Sequence, residues 1–267
     1  MSLTFTSKAM SFSNRSRVQK ARVATRRKSI GALHAQPWKS ETSRGPQERT
    51  IRISSHVSPK GEGYADLAIE LDPTSHEGYY WKSANLGRGG EVRGILNSLF
   101  KAKPMRNLLR SALDQYPEHP GSYYVLGIIY ERVPGRPISF GNDNYSVCLG
   151  RKAIDALNAE IEAGIRDFVR LEYYTELARH LWARGWRSSK RMSEQSPKLR
   201  RFEQEDDVFV RNTYYEGSLG IPDLSDREEA LQIIQWVIDE FEAKPALTNS
   251  DRADLDEART SLAEWTE

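Results

Sequence analysis

The feature that most constrains the fold of this chain is an internal repeat. The segment AIELDP, residues 68–73, is matched by ALDQYP, residues 112–117, and each is followed by an aromatic-rich stretch. Self-similarity at a fixed spacing, here 44 residues, indicates units that bury their apolar faces against one another. Alternation of the kind that marks strands is nearly absent, so the sequence predicts an all-α fold.

The second aromatic stretch, YYVLGIIY, resembles the tetratricopeptide repeat. In that repeat the first helix carries a bulky residue, then Leu-Gly or Leu-Ala three and four positions later, and then Tyr. The first half is matched in full by Tyr123, Leu126, Gly127 and Tyr130. The small residue at Gly127 would let the paired helix approach closely.

Two weaker copies of this pattern extend the resemblance. One copy consists of Tyr174, Leu177, Ala178 and Leu181. A degenerate copy runs from Tyr80 to Ala84, with Ser83 where Leu belongs. We therefore expect residues 61–267 to form antiparallel helix pairs stacked as a tetratricopeptide-like solenoid.

The repeat is interrupted by two insertions. The standard unit is 34 residues long, so a spacing of 44 predicts an insertion, placed within residues 87–104, with Pro104 opening the next helix in its first turn. Residues 131–146 contain two Pro and two Gly that a helix would not tolerate. The body then resumes at GRKAID, as a helix with an apolar stripe at Ala153, Leu157, Ile161 and Ile165.

Two further helices are predicted at the end of the sequence. Ser225 with Glu228, and Thr248 with Asp251, have the spacing of capping boxes. Apolar stripes follow each box, and we expect the two helices to pair as an antiparallel hairpin that closes the stack. The stripes are Leu231, Ile234, Ile238 and Phe241, then Leu255, Ala258, Leu262 and Trp265.

The first sixty residues differ sharply from the rest. The formal net charge of +2 conceals 13 basic and two acidic residues in 1–60, against 26 basic and 35 acidic residues in 61–267. A basic, Ser-rich segment with scattered apolar residues cannot bury enough surface to fold, so we expect a disordered leader. It is interpreted as an organelle-targeting segment, a basic arm that binds nucleic acid or an anionic surface, a plain solvated tail, or a stretch translated from a mispredicted start.

A more specific resemblance rests on three motifs together: the LG-Y helix, the loop PGRPISFGN at residues 134–142, and the GRKAID helix after it. Over residues 64–242 the chain is similar to the T component of tripartite ATP-independent periplasmic (TRAP) transporters. The resemblance implies a water-soluble trimer with hydrophobic cavities, a periplasmic substrate-binding protein as partner, and uptake of a small organic, hydrophobic ligand.

One departure leaves the location open. That family carries an export signal, whereas this sequence has neither an apolar signal core nor a lipobox Cys. The alternative is a eukaryotic organelle- or microtubule-associated tetratricopeptide adaptor, because residues 81–130 are also similar to the helical repeats of mitochondria-associated regulators of microtubule dynamics.

Aromatic residues near the loop and along the predicted concave face are the candidate binding surface. Neighbours on a helix point about 100° apart, so Tyr123 is expected to face inward and Tyr124 to face the concave surface or a neighbouring repeat. Aromatic residues at helical spacing are more often core, which is the alternative for each of them. The candidate ligand- or partner-binding residues are Tyr80, Tyr124, Tyr130, Phe140, Asn142, Tyr173 and Trp182.

Three other segments resemble functional sites, but each has a simpler structural interpretation. Glu172, Glu176 and His180 share one helix face and could present metal ligands, but no second helix repeats the pattern, so a solvated face is expected. Seven basic residues in 184–201 could bind RNA, but four acids follow at once, so nucleic-acid binding is not expected. The glycines of residues 87–94 miss the dinucleotide-binding spacing.

No catalytic chemistry is predicted. One cysteine, Cys148, excludes an intrachain disulfide and a Cys-based zinc site, and the five His residues lack metalloprotease spacing. We expect no catalytic residues, no cofactor, no metal and no membrane span. The sequence thus predicts a binding scaffold.

Overall fold

The computed structural model describes residues 59–91, 95–217 and 223–267. These ranges contain ten helices and no strand, which confirms the all-α prediction. The predicted leader lies outside them except for its last two residues, and no helix within them has the length and apolarity needed to cross a membrane. The helices are α1 Pro59–Leu71, α2 His76–Glu91, α3 Ile95–Gln115, α4 Pro120–Arg132, α5 Asp143–Glu162, α6 Leu171–Arg184, α7 Ser188–Gln204, α8 Val208–Asn212, α9 Asp226–Glu242 and α10 Asn249–Thr266.

Successive helices from α1 to α6 pack against one another in chain order, as in a solenoid. Short connections, such as residues 72–75 and 116–119, make neighbouring helices antiparallel. The order changes after α6, because the next helix that packs extensively on α6 is α9, which follows α7 and α8 in the sequence. Helix α6 therefore lies in the middle of the fold, against α4, α5, α9 and α10.

Two copies of the repeat contain an equivalent hydrogen bond. The Tyr79 hydroxyl donates to the carbonyl of Pro73 over 3.0 Å, and the Tyr123 hydroxyl donates to the carbonyl of Pro117 over 2.6 Å. The two bonds are 44 residues apart, and each ties a repeat helix to the turn before it. Tyr123 is fully buried, as predicted.

The same register corrects the first copy of the repeat. The residue 44 positions before Gly127 is Ser83, which is fully buried. Ser83 thus fills the small-residue position, and its assignment to the Leu position was wrong by one residue. Its hydroxyl donates to the carbonyl of Met105 over 3.3 Å, which satisfies the polar group in the core.

The predicted insertion before Pro104 is mostly helix. Helix α2 continues to Glu91 and α3 begins at Ile95, so Pro104 lies inside α3 and not in its first turn. The prediction failed because Pro removes only one backbone donor, and the neighbouring turns keep their bonds.

Helix α5 begins earlier than the GRKAID motif suggests. Asn142 caps it, with its side-chain oxygen accepting from the N–H groups of Asn144 at 3.0 Å and Tyr145 at 3.1 Å. Ala153 is buried as predicted. Ile165 lies beyond the helix end with 70% of its surface exposed, so the predicted stripe stops short.

Both predicted capping boxes are present. Ser225 and Glu228 satisfy each other's backbone N–H at the start of α9, and Thr248 and Asp251 do so at the start of α10. The two helices pack together as expected.

A buried ion network joins four helices around α9. Arg151 of α5 donates two bonds, 3.0 and 2.8 Å long, to Glu229 of α9. Arg184 of α6 donates two 2.7 Å bonds to Asp226 of α9. Arg191 of α7 contacts both carboxylates. None of the five residues is more than 9% exposed, so the fold depends on these charges remaining paired.

This network also bears on the basic stretch 184–201. Arg184, Arg191 and Lys198 are buried, and Lys198 pairs with Glu216. Three of the seven basic side chains are therefore unavailable to phosphates, which argues further against RNA binding.

We predict that Glu229→Gln lowers the free energy of unfolding by about 3–5 kcal/mol, because it leaves Arg151 buried without a countercharge and leaves Arg191 with Asp226 alone. Urea denaturation measures the change. The matched control is Glu242→Gln, whose partner Arg259 is exposed and whose loss should cost under about 1 kcal/mol. Equal effects of the two substitutions would contradict the role given to the network.

Candidate functional site

Three of the predicted binding residues lie at the loop between α4 and α5 and have packing roles. Tyr130 is buried, with its ring centroid 5.3 Å from that of Phe140 and 5.6 Å from that of Tyr145. The guanidinium of Arg106 lies 4.2 Å from the Phe140 ring centroid. Asn142 is the helix cap described above. These contacts close the base of the loop, and a binding role for these residues stays a prediction.

Two further predicted residues join neighbouring helices. The Tyr80 ring lies edge-on to His119, with centroids 4.7 Å apart. Trp182 stacks on Trp265 of α10, with centroids 4.8 Å apart and planes 9° from parallel. Both are partly exposed, so neither contact excludes a further partner.

The remaining two predicted residues stack on each other. Tyr124 of α4 and Tyr173 of α6 have ring centroids 4.2 Å apart and planes 9° from parallel. Tyr124 therefore faces the neighbouring repeat, one of its two predicted positions. Tyr173 is buried, whereas Tyr124 is half-buried and lines an adjoining cleft.

This cleft lies between α4, α6 and α10 and has a volume of about 150 Å³. Four carboxylates surround it, and we call it the acidic cleft. It differs in chemistry from the hydrophobic cavity that the family resemblance implies. Its lining residues are Tyr124, Glu172, Thr175, Glu176, Ser250, Asp254 and Glu257.

The electrostatic field of the acidic cleft is negative. Burial raises the pKa of Asp254, and the charges of Glu172 and Glu257 raise it further. Burial likewise raises the pKa of the Tyr124 hydroxyl, with added contributions from Glu176 and Glu172. Burial is the larger cause of each shift, and the neighbouring carboxylates add a smaller contribution that opposes further negative charge.

A second polar group adjoins the cleft, and we call it the His180 cluster: Glu131, Glu176 and His180. Glu131 of α4 accepts a hydrogen bond from the ring Nδ1 of His180 of α6. One ligand atom from each of the three residues lies within 4.8 Å of the others, so the set could hold a metal ion. Glu176 belongs to both the cluster and the acidic cleft.

The solvated face predicted for α6 is not what the structure shows. Glu176 is 8% exposed and His180 is 1% exposed. Only Glu172 of the three is partly open, and it pairs with Arg170. The prediction failed because α6 is packed on several sides, so that it has no wide solvent-facing surface.

The charges in the His180 cluster are unequally satisfied. Burial alone would raise the pKa of Glu131, but the hydrogen bond and charge of His180 outweigh it and lower that pKa. Burial raises the pKa of Glu176. Arg132 approaches one oxygen of Glu176 at 3.5 Å, while the other oxygen, Oε2, is buried and has no hydrogen-bond partner within the described part of the chain.

Two glycines make room for the imidazole. A Cβ on Gly127 of α4 would lie 2.9 Å from His180 Nε2, and a Cβ on Gly150 of α5 would lie 3.0 Å from His180 Cδ2. The small residue of the repeat motif thus admits a histidine from α6. The predicted close approach of the paired helix is present as well, because the carbonyl oxygen of Ser146 of α5 would lie 3.4 Å from the same Cβ.

Sequence reasoning missed Asp254, Glu257 and Glu131. Ser250, Asp254 and Glu257 recur at i, i+4 and i+7, and this spacing indicates a shared polar face. Glu131 carries no such signal, because its partner His180 is 49 residues away on another helix.

Comparisons with known proteins add no relative. No family model, no curated protein and no solved structure matches this chain.

We predict that Gly127→Ala lowers the free energy of unfolding by about 1–3 kcal/mol, because its methyl group meets a ring held from the other side by Gly150. Thermal and urea unfolding measure the change. Gly63→Ala is the matched control on α1: among the described residues, no atom outside its own stretch of helix backbone lies within 4 Å of the added Cβ, so the protein should gain up to about 1 kcal/mol in stability. Stabilisation by both substitutions would mean that His180 moves freely.

Proposed function

We propose that the chain is a non-catalytic helical-repeat scaffold whose acidic cleft receives a cationic side chain, Arg or Lys, of a protein partner. The observation that carries the proposal is the convergence of four carboxylates from two helices on one small cleft beside Tyr124. Repeat proteins present rigid curved surfaces of this kind to partner segments.

The charge balance of the cleft favours an incoming cation. Three of its carboxylates already face an arginine: Glu172 faces Arg170, Glu176 faces Arg132 and Glu257 faces Arg179. Asp254 has no ion-pair partner within the described ranges. A cation at Asp254 would restore neutrality in a partly buried site, where charge pairing is stronger than in bulk water.

The dimensions of the cleft favour a single side chain over a whole small molecule. Small-molecule sites typically enclose about 300–1,000 Å³, whereas this cleft has a volume of about 150 Å³. A guanidinium or ammonium group needs less room and would gain a cation–π contact from Tyr124.

The T component of a TRAP transporter remains our proposal for the kind of scaffold. The stacked helix pairs with a 44-residue register support it, and a periplasmic substrate-binding protein would then supply the cationic side chain. Light scattering on the purified chain, with and without a co-expressed substrate-binding protein, tests this proposal. A strict monomer without affinity for such a partner would overturn it.

We predict that heptapeptides selected against the protein from a displayed library share one Arg or Lys. Such a peptide should bind the Asp254→Asn variant at least tenfold more weakly, because that substitution removes the one carboxylate of the cleft that lacks an ion-pair partner within the described ranges. Isothermal titration calorimetry measures the two affinities. Asp256→Asn is the control, since Asp256 is exposed on the same helix and lies outside the cleft. Selected peptides without a basic residue, or equal affinity for both variants, would contradict the proposal.

We also predict that the affinity for this peptide falls as the pH is lowered. The fall should begin at a higher pH than ordinary carboxylates, whose pKa values are about 4, would give. The pKa values of Asp254 and Glu176 are raised, so both groups take up protons and lose their charge at a higher pH than usual. Titrations between pH 7 and pH 4 measure the profile. The profile of Asp254→Asn should be flatter, and an unchanged profile in that variant would count against the assignment.

A further inference from the structure

We propose that the His180 cluster is a binding site for a divalent transition metal of the zinc class. Glu131 from α4 and Glu176 and His180 from α6 supply two carboxylates and one imidazole. These are donors that zinc takes in three-ligand sites, which leave a fourth position for water or another ligand.

The geometry is close to that of a bound ion. The three ligand atoms lie within 4.8 Å of one another. Ligands on one zinc ion lie about 3.3 Å apart when the bonds are near 2.0–2.1 Å. Side-chain rotation of a carboxylate covers the difference, since the carboxylates sit at the ends of flexible stems.

An independent observation points to a missing ligand at this place. Glu176 is about nine-tenths buried, and its Oε2 has no hydrogen-bond partner among the residues that the structure describes. A buried carboxylate oxygen without a partner is costly, and such an atom in a native structure calls for an unseen ion or water. A metal ion held with Glu131 and His180 would satisfy it.

The charges around the cluster can accommodate a divalent cation. Three further charged groups face it: Arg132 of α4, Asp143 of α5 and Arg179 of α6. Arg179 is already engaged by Glu257 of α10. Burial raises the pKa of Asp143, and the nearby charge of Glu131 raises it further. The imidazole of His180 is thus surrounded by three carboxylates, those of Glu131, Asp143 and Glu176. Among the described residues that face the cluster, Arg132 is the only cation not already paired with a carboxylate outside it.

The imidazole is also held in place before any metal arrives. The Gly127 and Gly150 backbones confine its ring between α4 and α5, where a side chain at either position would collide with it. A ligand fixed in this way loses little freedom when a metal binds. Glu176 also lines the acidic cleft, so the His180 cluster adjoins that cleft.

The test uses the full chain, stripped of metal with a chelating resin. Zinc titration by calorimetry should give one ion per chain with micromolar or tighter affinity, and Co²⁺ should give the absorption spectrum of a site with nitrogen and oxygen ligands. His180→Gln and Glu131→Gln should each lose at least tenfold in affinity. Glu162→Gln, an exposed carboxylate of α5, is the control and should bind as the wild type does.

Each other outcome overturns the proposal. Wild-type protein that binds neither Zn²⁺ nor Co²⁺ at micromolar concentration excludes the site, whether or not the variants fold. Equal affinity in His180→Gln excludes the cluster. A tenfold loss in Asp254→Asn but not in His180→Gln would place the ion in the acidic cleft. The proposal does not rest on the partner-binding function, since these titrations contain metal alone and the peptide titrations contain none.

Discussion

The pairing of five buried charges around α9 is the constraint on which the rest of the structure depends. Arg151, Arg184 and Arg191 reach Asp226 and Glu229 from three different helices. A charge left alone in such a place costs several kcal/mol, so the helices that carry these residues cannot move apart independently. The network thereby fixes α6, and α6 in turn carries both polar sites. Apolar packing alone would tolerate small shifts of α6 that ion pairs with defined geometry do not.

Periodicity and local chemistry were sufficient to predict the fold. The all-α class, the two capping boxes and the inward orientation of Tyr123 follow from interactions within one or two helical turns, which a sequence displays directly. The errors in the fold came where one residue was expected to decide alone. Pro104 did not start a helix, because the helix on either side retains its other hydrogen bonds.

The candidate site was largely beyond reach of the sequence for the opposite reason. A prediction from the amphipathic pattern assumes that a helix buries one face and exposes the other. Helix α6 does not fit this assumption, because it packs against four other helices. Glu176 and His180 were therefore placed in solvent when they are buried, and Arg184 was counted as a surface charge. Their partners, Glu131 and Asp226, lie more than 40 residues away in sequence, and nothing local marks them. Of the aromatic residues selected, Tyr124 was the one that reached the cleft.

The position of Glu176 in both the acidic cleft and the His180 cluster has a thermodynamic consequence. One carboxylate cannot give its full charge to two cations, so an ion on the cluster would weaken the hold of the cleft on a basic side chain. Linkage requires the reverse effect to be of the same size, whichever ligand binds first. The two sites would therefore compete without touching each other's ligands, and a scaffold without moving parts would acquire antagonism between metal and partner.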